Sequence, residues 1–220
     1  QCTICIGFAD GAGAPIGGLV YRLLDSPPTW VMGCAKEGLL RSQLRAAASR
    51  PGFVCSNGSL SPFVEALASE LGYDLHRAGG AGNKMMLLLE GTGRCYIQDR
   101  GVSRWDTCAA QAVLEAHGGA LAKLSRFAAE QQLASYSYVA SDINADFESG
   151  LALLCSYNAR GPVPVPEEGD PTPRATCAEQ LKTYANVCGL LALPASELPL
   201  LPKYYEAVCK VAAMYEPAYN

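Results

Sequence analysis

Short runs of apolar residues separated by turn signals dominate the first third of the chain, and they predict strands. The runs lie at 2–8, 17–22 and 29–33. Asp10-Gly11 between the first two runs is a hairpin signal, so we predict an antiparallel meander. A weak helical pattern follows at 39–48, and Phe53-Val54-Cys55 predicts another short strand.

The clearest helix signal begins at Ser61-Pro62, where serine is a good N-cap and proline suits the first helical position. Apolar residues then recur on one stripe, from Phe63 to Leu71, and Gly72 ends the pattern. We predict a helix between Ser61 and Gly72.

The stretch from Arg77 to Gly119 combines several signals. It predicts a glycine-rich turn at 79–82, an apolar strand at 85–89, a strand at 94–98 and a helix at 107–117. Further along, the pattern predicts a helix at 125–133, an apolar piece of undetermined type at 151–155, a strand at 188–193 and a closing helix at 202–214.

Strands and helices thus alternate, which predicts an α/β class with layered sheets and helices (α/β or α+β). We expect residues 1–220 to form a single domain. The Pro-rich, acidic segment at about 161–174 reads as a surface loop or insertion outside the core.

Composition narrows the function classes. Half of the residues are hydrophobic, 17% are charged, and the net charge is −4 without a Lys/Arg cluster, so nothing favours a nucleic-acid or anionic membrane partner. We expect no membrane span because no 18-residue uncharged apolar run exists. The ten cysteines mostly lie in apolar runs, which predicts buried free thiols and an intracellular, reducing compartment.

Asp106 is the strongest candidate for chemistry. An aspartate at a helix start can bind a hard cation such as Mg²⁺. It can equally be an N-cap that accepts hydrogen bonds from Cys108 or Ala109, and the local sequence favours the cap. Asp99 is either a second carboxylate or a solvated loop residue. Similarly, the turn at 79–82 with Lys84 is either a ligand cradle or a tight turn beside a strand.

In combination, the motifs resemble the C-terminal half of the inositol monophosphatase-like superfamily of Mg²⁺-dependent, lithium-sensitive phosphomonoesterases. G-G-A-G-N-K at 79–84 and W-D-T-C-A at 105–109 resemble the 3′(2′),5′-bisphosphate nucleotidases. C-A-A-Q-A at 108–112 and the opening Q-C-T-I-C-I-G resemble the inositol polyphosphate 1-phosphatases. The resemblance is dense at 77–119, thinner at 1–35, 53–72 and 186–215, and poor at 125–180.

The resemblance implies a role for each matching position. Asp106 would bind Mg²⁺, Gly80, Ala81 and Lys84 would line the substrate, and Ser59 (or Ser61) would fall near a substrate-contacting serine. The implied substrate is a bisphosphate nucleotide or an inositol polyphosphate. The family has histidine or lysine just after that serine, whereas this chain has Leu60 and Ser61, which weakens the nucleotidase reading in particular.

The family's acidic G-E-E-type and D-P-I-D-G-T-type motifs are absent from 1–220. We therefore assign no catalytic residue and expect that this chain alone is not a competent phosphatase, since two-metal chemistry needs clustered carboxylates. Two interpretations stay open. The chain is the C-terminal portion of an active phosphatase, or it is an inactive relative that serves as a structural or interaction subunit, with a protein partner over its truncated sheet edge.

Overall fold

The computed structural model describes residues 2–99, 102–159 and 186–217, and for 150–159 it describes the backbone only. The predicted loop at 161–174 lies outside the described residues. Within them, strands and helices form alternating layers, and the predicted α/β class is confirmed.

The first four strands form an antiparallel sheet in sequential order. They are β1 (Ile4–Ala9), β2 (Pro15–Arg22), β3 (Thr29–Cys34) and β4 (Leu39–Gln43). The predicted meander is confirmed, but the helix at 39–48 is wrong. The turn at 35–38, with Gly38 at a φ of 60°, folds the chain back so that β4 pairs with β3 as an exposed edge strand. Pairing with a neighbour outweighs the weak helical pattern.

The second sheet has five strands in the order β6-β5-β7-β9-β8. They are β5 (Gly52–Ser56), β6 (Leu75–Ala78), β7 (Gly93–Gln98), β8 (Ala120–Lys123) and β9 (Leu190–Leu193). The central β5 is parallel to both β6 and β7, whereas β9 is antiparallel to its two neighbours. The strands predicted at 53–55, 94–98 and 188–193 are confirmed.

Six α-helices and one 3₁₀ helix are described. They are α1 (Pro62–Leu71), α2 (Ala81–Leu89), α3 (Arg104–Ala116), α4 (Leu124–Glu130), α5 (Ala140–Ala159), the 3₁₀ helix Ala195–Leu200 and α6 (Leu201–Ala212). Four helix predictions correspond to α1, α3, α4 and α6, and the apolar piece at 151–155 lies in α5. At α1, Ser61 Oγ accepts the Val64 N–H at 3.2 Å and Gly72 adopts the left-handed conformation, as the sequence predicted.

The strand predicted at 85–89 is wrong, because these residues belong to α2. This helix lies between the two sheets and is buried nearly all round, so its apolar residues show no amphipathic period. A short apolar run of this kind is compatible with a buried strand or a buried helix.

The layers enclose two cores. One core lies between the two sheets, around α2 and α3, and includes Val20, Val31, Met85 and Val113. The other core lies on the opposite face of the five-stranded sheet, under α1, α4 and α6, and includes Phe63 and Phe127. The order of layers is therefore helices, five-stranded sheet, α2 with α3, and four-stranded sheet.

The helix α3 rests directly on the four-stranded sheet because the strands present glycine beneath it. Gly7, Gly18 and Gly33 are cross-strand neighbours on β1, β2 and β3. A methyl group on Gly7 would come within 2.6 Å of the Ala109 nitrogen, and one on Gly33 within 2.8 Å of the Ala116 Cβ. No side chain fits between the helix and these strands.

A buried ion pair ties α2 to the four-stranded sheet. The Arg22 guanidinium on β2 contacts the Glu90 carboxylate at the end of α2, and its Nε donates to Asn83 Oδ1 at 2.6 Å. The side chains of Arg22 and Glu90 are only 4% and 1% exposed. Each charge is therefore neutralised at the point where it is buried.

In the parts of the chain that the structure describes, no helix is long and apolar enough to cross a membrane. Eight cysteines there carry free thiols, of which Cys55, Cys95 and Cys188 are buried. The expectation of buried thiols does not hold for Cys2 and Cys209, which are exposed. Cys2 and Cys5 have C-x-x-C spacing, although no group of three metal-ligating side chains forms among the described residues.

Glu90→Ala leaves the buried Arg22 guanidinium without its counter-charge, and we expect it to lower the free energy of unfolding by about 3–5 kcal/mol. Urea denaturation measures the change. Glu70→Ala is the matched control, because its 2.8 Å ion pair with Lys210 is solvent-exposed and contributes at most about 1 kcal/mol. Equal losses in the two variants would contradict the role of the buried pair.

Candidate functional site

The candidate site lies at the carboxyl ends of the three parallel strands. Each of them, β5, β6 and β7, leads through a short segment into the N-terminus of a helix, α1, α2 and α3 respectively. Ligands of α/β proteins bind preferentially at this edge. The N-termini of helices also favour anions, because their first N–H groups have no partner within the helix.

The glycine turn forms the start of α2. Gly80 is the N-cap and has a φ of 74°, a conformation that favours glycine. No side chain caps this end, so the first backbone N–H groups of α2 are not used by a cap residue. Gly80 is exposed and Ala81 is half-buried, which places both at the rim of the site.

Lys84 lies inside the site instead of at its rim. Its side chain is nearly fully buried, and Nζ donates to Ser56 Oγ at 2.8 Å, Gln98 Oε1 at 3.1 Å and Tyr96 OH at 3.2 Å. Burial lowers the pKa of Lys84 to about 8, against the opposing attraction of Cys55 and Asp106. The ammonium group is thus a buried positive charge behind the start of α2, with three protein acceptors.

The loop between β5 and α1 carries the serines. Ser59 is exposed, and Arg77 NH1 supports its loop by donating to the Gly58 carbonyl at 2.8 Å. Ser61 is buried and donates to Asp99 Oδ2 at 2.6 Å while capping α1. The cavity beside these residues measures only about 30 Å³, which is room for about one water molecule.

Asp106 lies in the first turn of α3, but it is not the N-cap. Ser103 is the N-cap, and Asp106 is the third helical residue, whose Oδ2 accepts the Ser103 backbone N–H at 3.0 Å. The predicted capping of Cys108 or Ala109 is therefore wrong, since the helix begins earlier than the sequence suggested. The carboxylate is exposed. Burial raises the pKa of Tyr96 and the charge of Asp106 raises it further, while the same charge opposes the lowering of the Lys84 pKa by burial, which places Asp106 near the lysine cluster.

Buried polar contacts fix the first turn of α3. Arg104 donates to Asp146 Oδ2 at 2.6 Å and to the Ser137 carbonyl at 3.0 Å. A second contact holds Thr107, whose Oγ1 accepts a hydrogen bond from Asn186 Nδ2 at 3.2 Å. Side-chain hydrogen bonds thus hold α3 at residues on both sides of Asp106 in the sequence.

The donor chemistry at Asp106 fits one ligand of a Mg²⁺ ion. Magnesium prefers oxygen ligands and is often held by one or two carboxylates together with water and substrate phosphate. Among the described residues, no group of three His, Cys, Asp or Glu side chains could hold a metal, and the Asp99 carboxylate already accepts from Ser61. The described residues therefore do not form a complete metal site, and Asp106 offers one exposed carboxylate.

Ser56 and Gln98 belong to the site but were not predicted from the sequence. Gln98 Oε1 lies within hydrogen-bond distance of Lys84 Nζ, Tyr96 OH at 2.6 Å and Ser56 Oγ at 3.2 Å. One signal was present, because Tyr96 and Gln98 are two residues apart on a strand and so share a face. The partner on α2 could not be inferred while 85–89 was assigned to a strand.

Comparison with known protein families identifies the family of this chain. A profile of the Inositol monophosphatase family matches residues 1–156. This match covers more than half of the chain, and the protein belongs to the inositol monophosphatase family.

The curated relatives are bisphosphate nucleotidases. The chain is 32% identical over 130 residues to the 3′(2′),5′-bisphosphate nucleotidase 1 of Rattus norvegicus, a match covering 54% of this chain and 42% of the relative. The corresponding Homo sapiens protein is 48% identical over 46 residues, which covers 20% of this chain and 15% of that protein. The chain thus spans less than half the length of these relatives.

Solved structures confirm the fold. Inositol monophosphate-bound SaIMPase-II has a TM-score of 0.55 at 12% identity, with 96% of this chain and 62% of that chain covered. The 2′AMP-bound form of SaIMPase-II has a TM-score of 0.51 at 12% identity, with coverages of 97% and 66%.

The proximity of Asp106 to Lys84 predicts a coupled titration. We expect the Lys84 side chain, followed by NMR of ¹³C-labelled lysine, to titrate with a midpoint at about pH 8. Asp106→Asn removes a negative charge that favours the ammonium form, so the midpoint should move to lower pH. Asp142→Asn, at the exposed first turn of α5, is the control and should leave the midpoint in place. An unchanged midpoint in Asp106→Asn would contradict the electrostatic coupling between Asp106 and Lys84.

Proposed function

We propose that the protein works as a Mg²⁺-dependent phosphomonoesterase. The proposed substrate is a 3′(2′),5′-bisphosphate nucleotide or an inositol polyphosphate that loses its 1-phosphate. The observation that carries the proposal is the meeting of the uncapped start of α2, the buried Lys84 ammonium and the exposed Asp106 carboxylate at the carboxyl edge of the parallel strands. An anion-binding helix start beside a hard oxygen ligand suits a metal-bound phosphate.

Each residue has a distinct task in this proposal. The backbone at Gly80 and Ala81 binds the substrate phosphate, while Lys84 contributes a positive charge from behind and Ser59 contacts the remainder of the substrate. Asp106 holds Mg²⁺, which when bound supplies Lewis-acid polarisation and an activated water. The Lys84 ammonium donates hydrogen bonds to Ser56, Tyr96 and Gln98, which keep it in place, so that its charge acts on the phosphate without reorganisation.

Two kinds of substrate are compatible with these groups, since both present a phosphomonoester on a polar ring. Similarity to the bisphosphate nucleotidases supports the nucleotide. SaIMPase-II, whose fold is similar, binds inositol monophosphate in one structure and 2′AMP in another. Lithium inhibition is part of the proposal because the family resemblance implies it.

The proposal requires metal ligands beyond Asp106. One carboxylate cannot hold the metals that phosphoryl transfer needs. We therefore propose that the other acidic ligands come from outside residues 1–220, and that these residues act as a single domain supplying the substrate-binding half. The free thiols support a reducing, intracellular compartment for it.

A second candidate function is an inactive structural or interaction subunit, favoured by the outer face of the four-stranded sheet. Phe8 on this face is 62% exposed and Ile6 is 47% exposed. Together with Leu19 and Met32 they line a groove of about 440 Å³. A face this apolar commonly marks an interaction site.

The occupant that fits this face is a partner's amphipathic helix. Both faces of the five-stranded sheet and the inner face of the four-stranded sheet are covered by helices. The cross-strand row Ile6, Leu19, Met32 ends at the exposed Arg41, which favours acidic residues along one side of the helix's apolar stripe.

The phosphatase proposal predicts Mg²⁺-dependent release of inorganic phosphate from adenosine 3′,5′-bisphosphate or inositol 1,4-bisphosphate, inhibited by lithium, in the natural form that contains residues 1–220. Asp106→Asn should lower turnover by a factor of at least about 100 because it removes a metal ligand. Its loss of stability should be about 1 kcal/mol, as for a helix cap. Asp142→Asn is the control. Absence of turnover with both substrates would contradict the phosphatase proposal and leave the subunit function as the remaining candidate.

The subunit function predicts binding of a synthetic amphipathic helix to the outer face. A fluorescent peptide with a leucine stripe and glutamate flanks should bind more tightly than the same peptide with lysine flanks, because of Arg41. Phe8→Ser should abolish binding, whereas Leu24→Ser, which is 75% exposed away from the groove, should not. Self-association through Phe8 in sedimentation experiments would instead make a second copy the occupant.

A further inference from the structure

The backbone of α3 touches the backbone of β2 at Gly18. A methyl group at this position would overlap the carbonyl oxygen of Ala109 and lie 2.9 Å from its carbonyl carbon. These are main-chain atoms of a helix and cannot rotate aside. Gly7 on β1 approaches the same helical turn, with its methyl position 2.6 Å from the Ala109 nitrogen. Ala109 lies about one turn after Asp106.

The neighbouring helix α2 is placed on the same sheet by separate contacts. A methyl group on Gly82 would lie 2.6 Å from Cys5 Sγ, and Asn83 accepts a hydrogen bond from Arg22 on β2. The two helices also pack against each other, but each has its own contacts with the four-stranded sheet. A movement of α3 relative to α2 therefore changes the distance between Asp106 on α3 and the glycine turn on α2.

We propose that Gly18 is a positioning residue for Asp106, because its missing side chain fixes how closely α3 approaches the sheet. Gly33 makes a similar close contact with the other end of α3, at Ala116. The proposal rests on the proposed function in one respect, namely that Asp106 is a metal ligand. A methyl group at Gly18 would lift α3 by roughly 1 Å to restore ordinary contact distances. A misplacement of about 1 Å is enough to impair a site severely.

The role is separable from simple packing, because α3 has further anchors that would hold it in a lifted position. Arg104 donates hydrogen bonds to Asp146 and Ser137, and Asn186 donates one to Thr107. These contacts use side chains, which adapt to a small movement more readily than the main-chain contact at Gly18. We expect Gly18→Ala to fold with Asp106 displaced.

The experiment uses Mn²⁺ as a paramagnetic probe together with inorganic phosphate, on the natural form that contains residues 1–220 and without turnover. In the wild type, Mn²⁺ should broaden the backbone NMR signals of Ser103 to Thr107 selectively. In Gly18→Ala, half-maximal broadening should need on the order of tenfold to a hundredfold more Mn²⁺. Gly17→Ala is the matched control on the same strand, since its methyl group would face the opposite side at 3.7 Å from the nearest atom and should change nothing.

A gentler pair of variants keeps the proposal testable if Gly18→Ala does not fold. The methyl group in Gly33→Ala would lie 2.8 Å from the Ala116 Cβ, with the next atom at 3.5 Å. Gly33→Ala should therefore weaken the Mn²⁺ effect, and adding Ala116→Gly should restore it by removing the methyl group that clashes. Cooperative urea unfolding verifies that each variant is folded.

The outcomes distinguish the two proposals. Loss of the Mn²⁺ effect in Gly18→Ala or Gly33→Ala, with restoration by Ala116→Gly, supports the positioning role. A folded variant that binds Mn²⁺ like the wild type overturns it. Absence of selective broadening in the wild type contradicts Asp106 as a metal ligand, and with it the proposed function, before any glycine variant is compared.

Discussion

The main-chain contact between α3 and the glycines of β1, β2 and β3 is the constraint on which the arrangement of layers depends. Because no side chain separates helix from sheet at Gly7, Gly18 and Gly33, the middle layer lies closer to the four-stranded sheet than ordinary helix-on-sheet packing allows. The first turn of α3 lies at the edge where the parallel strands end because α3 directly follows β7. The glycine contact sets how closely this helix approaches the sheet.

The same middle layer buries more charge than an apolar core normally accepts, and each charge has an acceptor or counter-ion. Arg22 is paired with Glu90, and Lys84 is surrounded by the oxygens of Ser56, Tyr96 and Gln98. Burial of polar groups is tolerated only when their hydrogen bonds are satisfied. The two clusters differ in one respect. The arginine pair is neutral overall and holds α2 to the sheet, whereas the lysine cluster is electropositive and faces Asp106.

Local signals in the sequence were reliable where the local chain decides the structure. The serine cap and closing glycine of α1 predicted its bounds, and the Asp-Gly turn between short apolar runs predicted the meander. These local signals failed where contacts with another strand or sheet determine the structure. The pairing of β4 with β3 overrode a weak helical pattern, and α2 lies between two sheets, where burial on all sides erases the helical period.

For the candidate site, sequence motifs pointed to some of the residues but not to their contacts. Asp106 was found, yet its capping partner is Ser103. Lys84 was found, yet it points inward to Ser56 and Gln98, which carry no motif. Hydrogen bonds between residues far apart in sequence depend on the tertiary structure, and one misassigned segment, 85–89, removed the geometry from which they could have been inferred.

The charge balance at the site indicates how this chain would take part in metal chemistry. The described residues bring one buried cation, Lys84, into the field of one exposed carboxylate, Asp106, and no group of three acidic or other ligating side chains lies among them. A divalent ion at Asp106 would be attracted by the carboxylate but repelled by the nearby ammonium group. Anionic substrate lowers that repulsion, and additional carboxylates lower it further. Metal binding at Asp106 should therefore be coupled to the arrival of phosphate and of acidic groups from outside these residues. In the proposed phosphatase, we therefore expect these residues to bind the phosphate before the metal ion is retained.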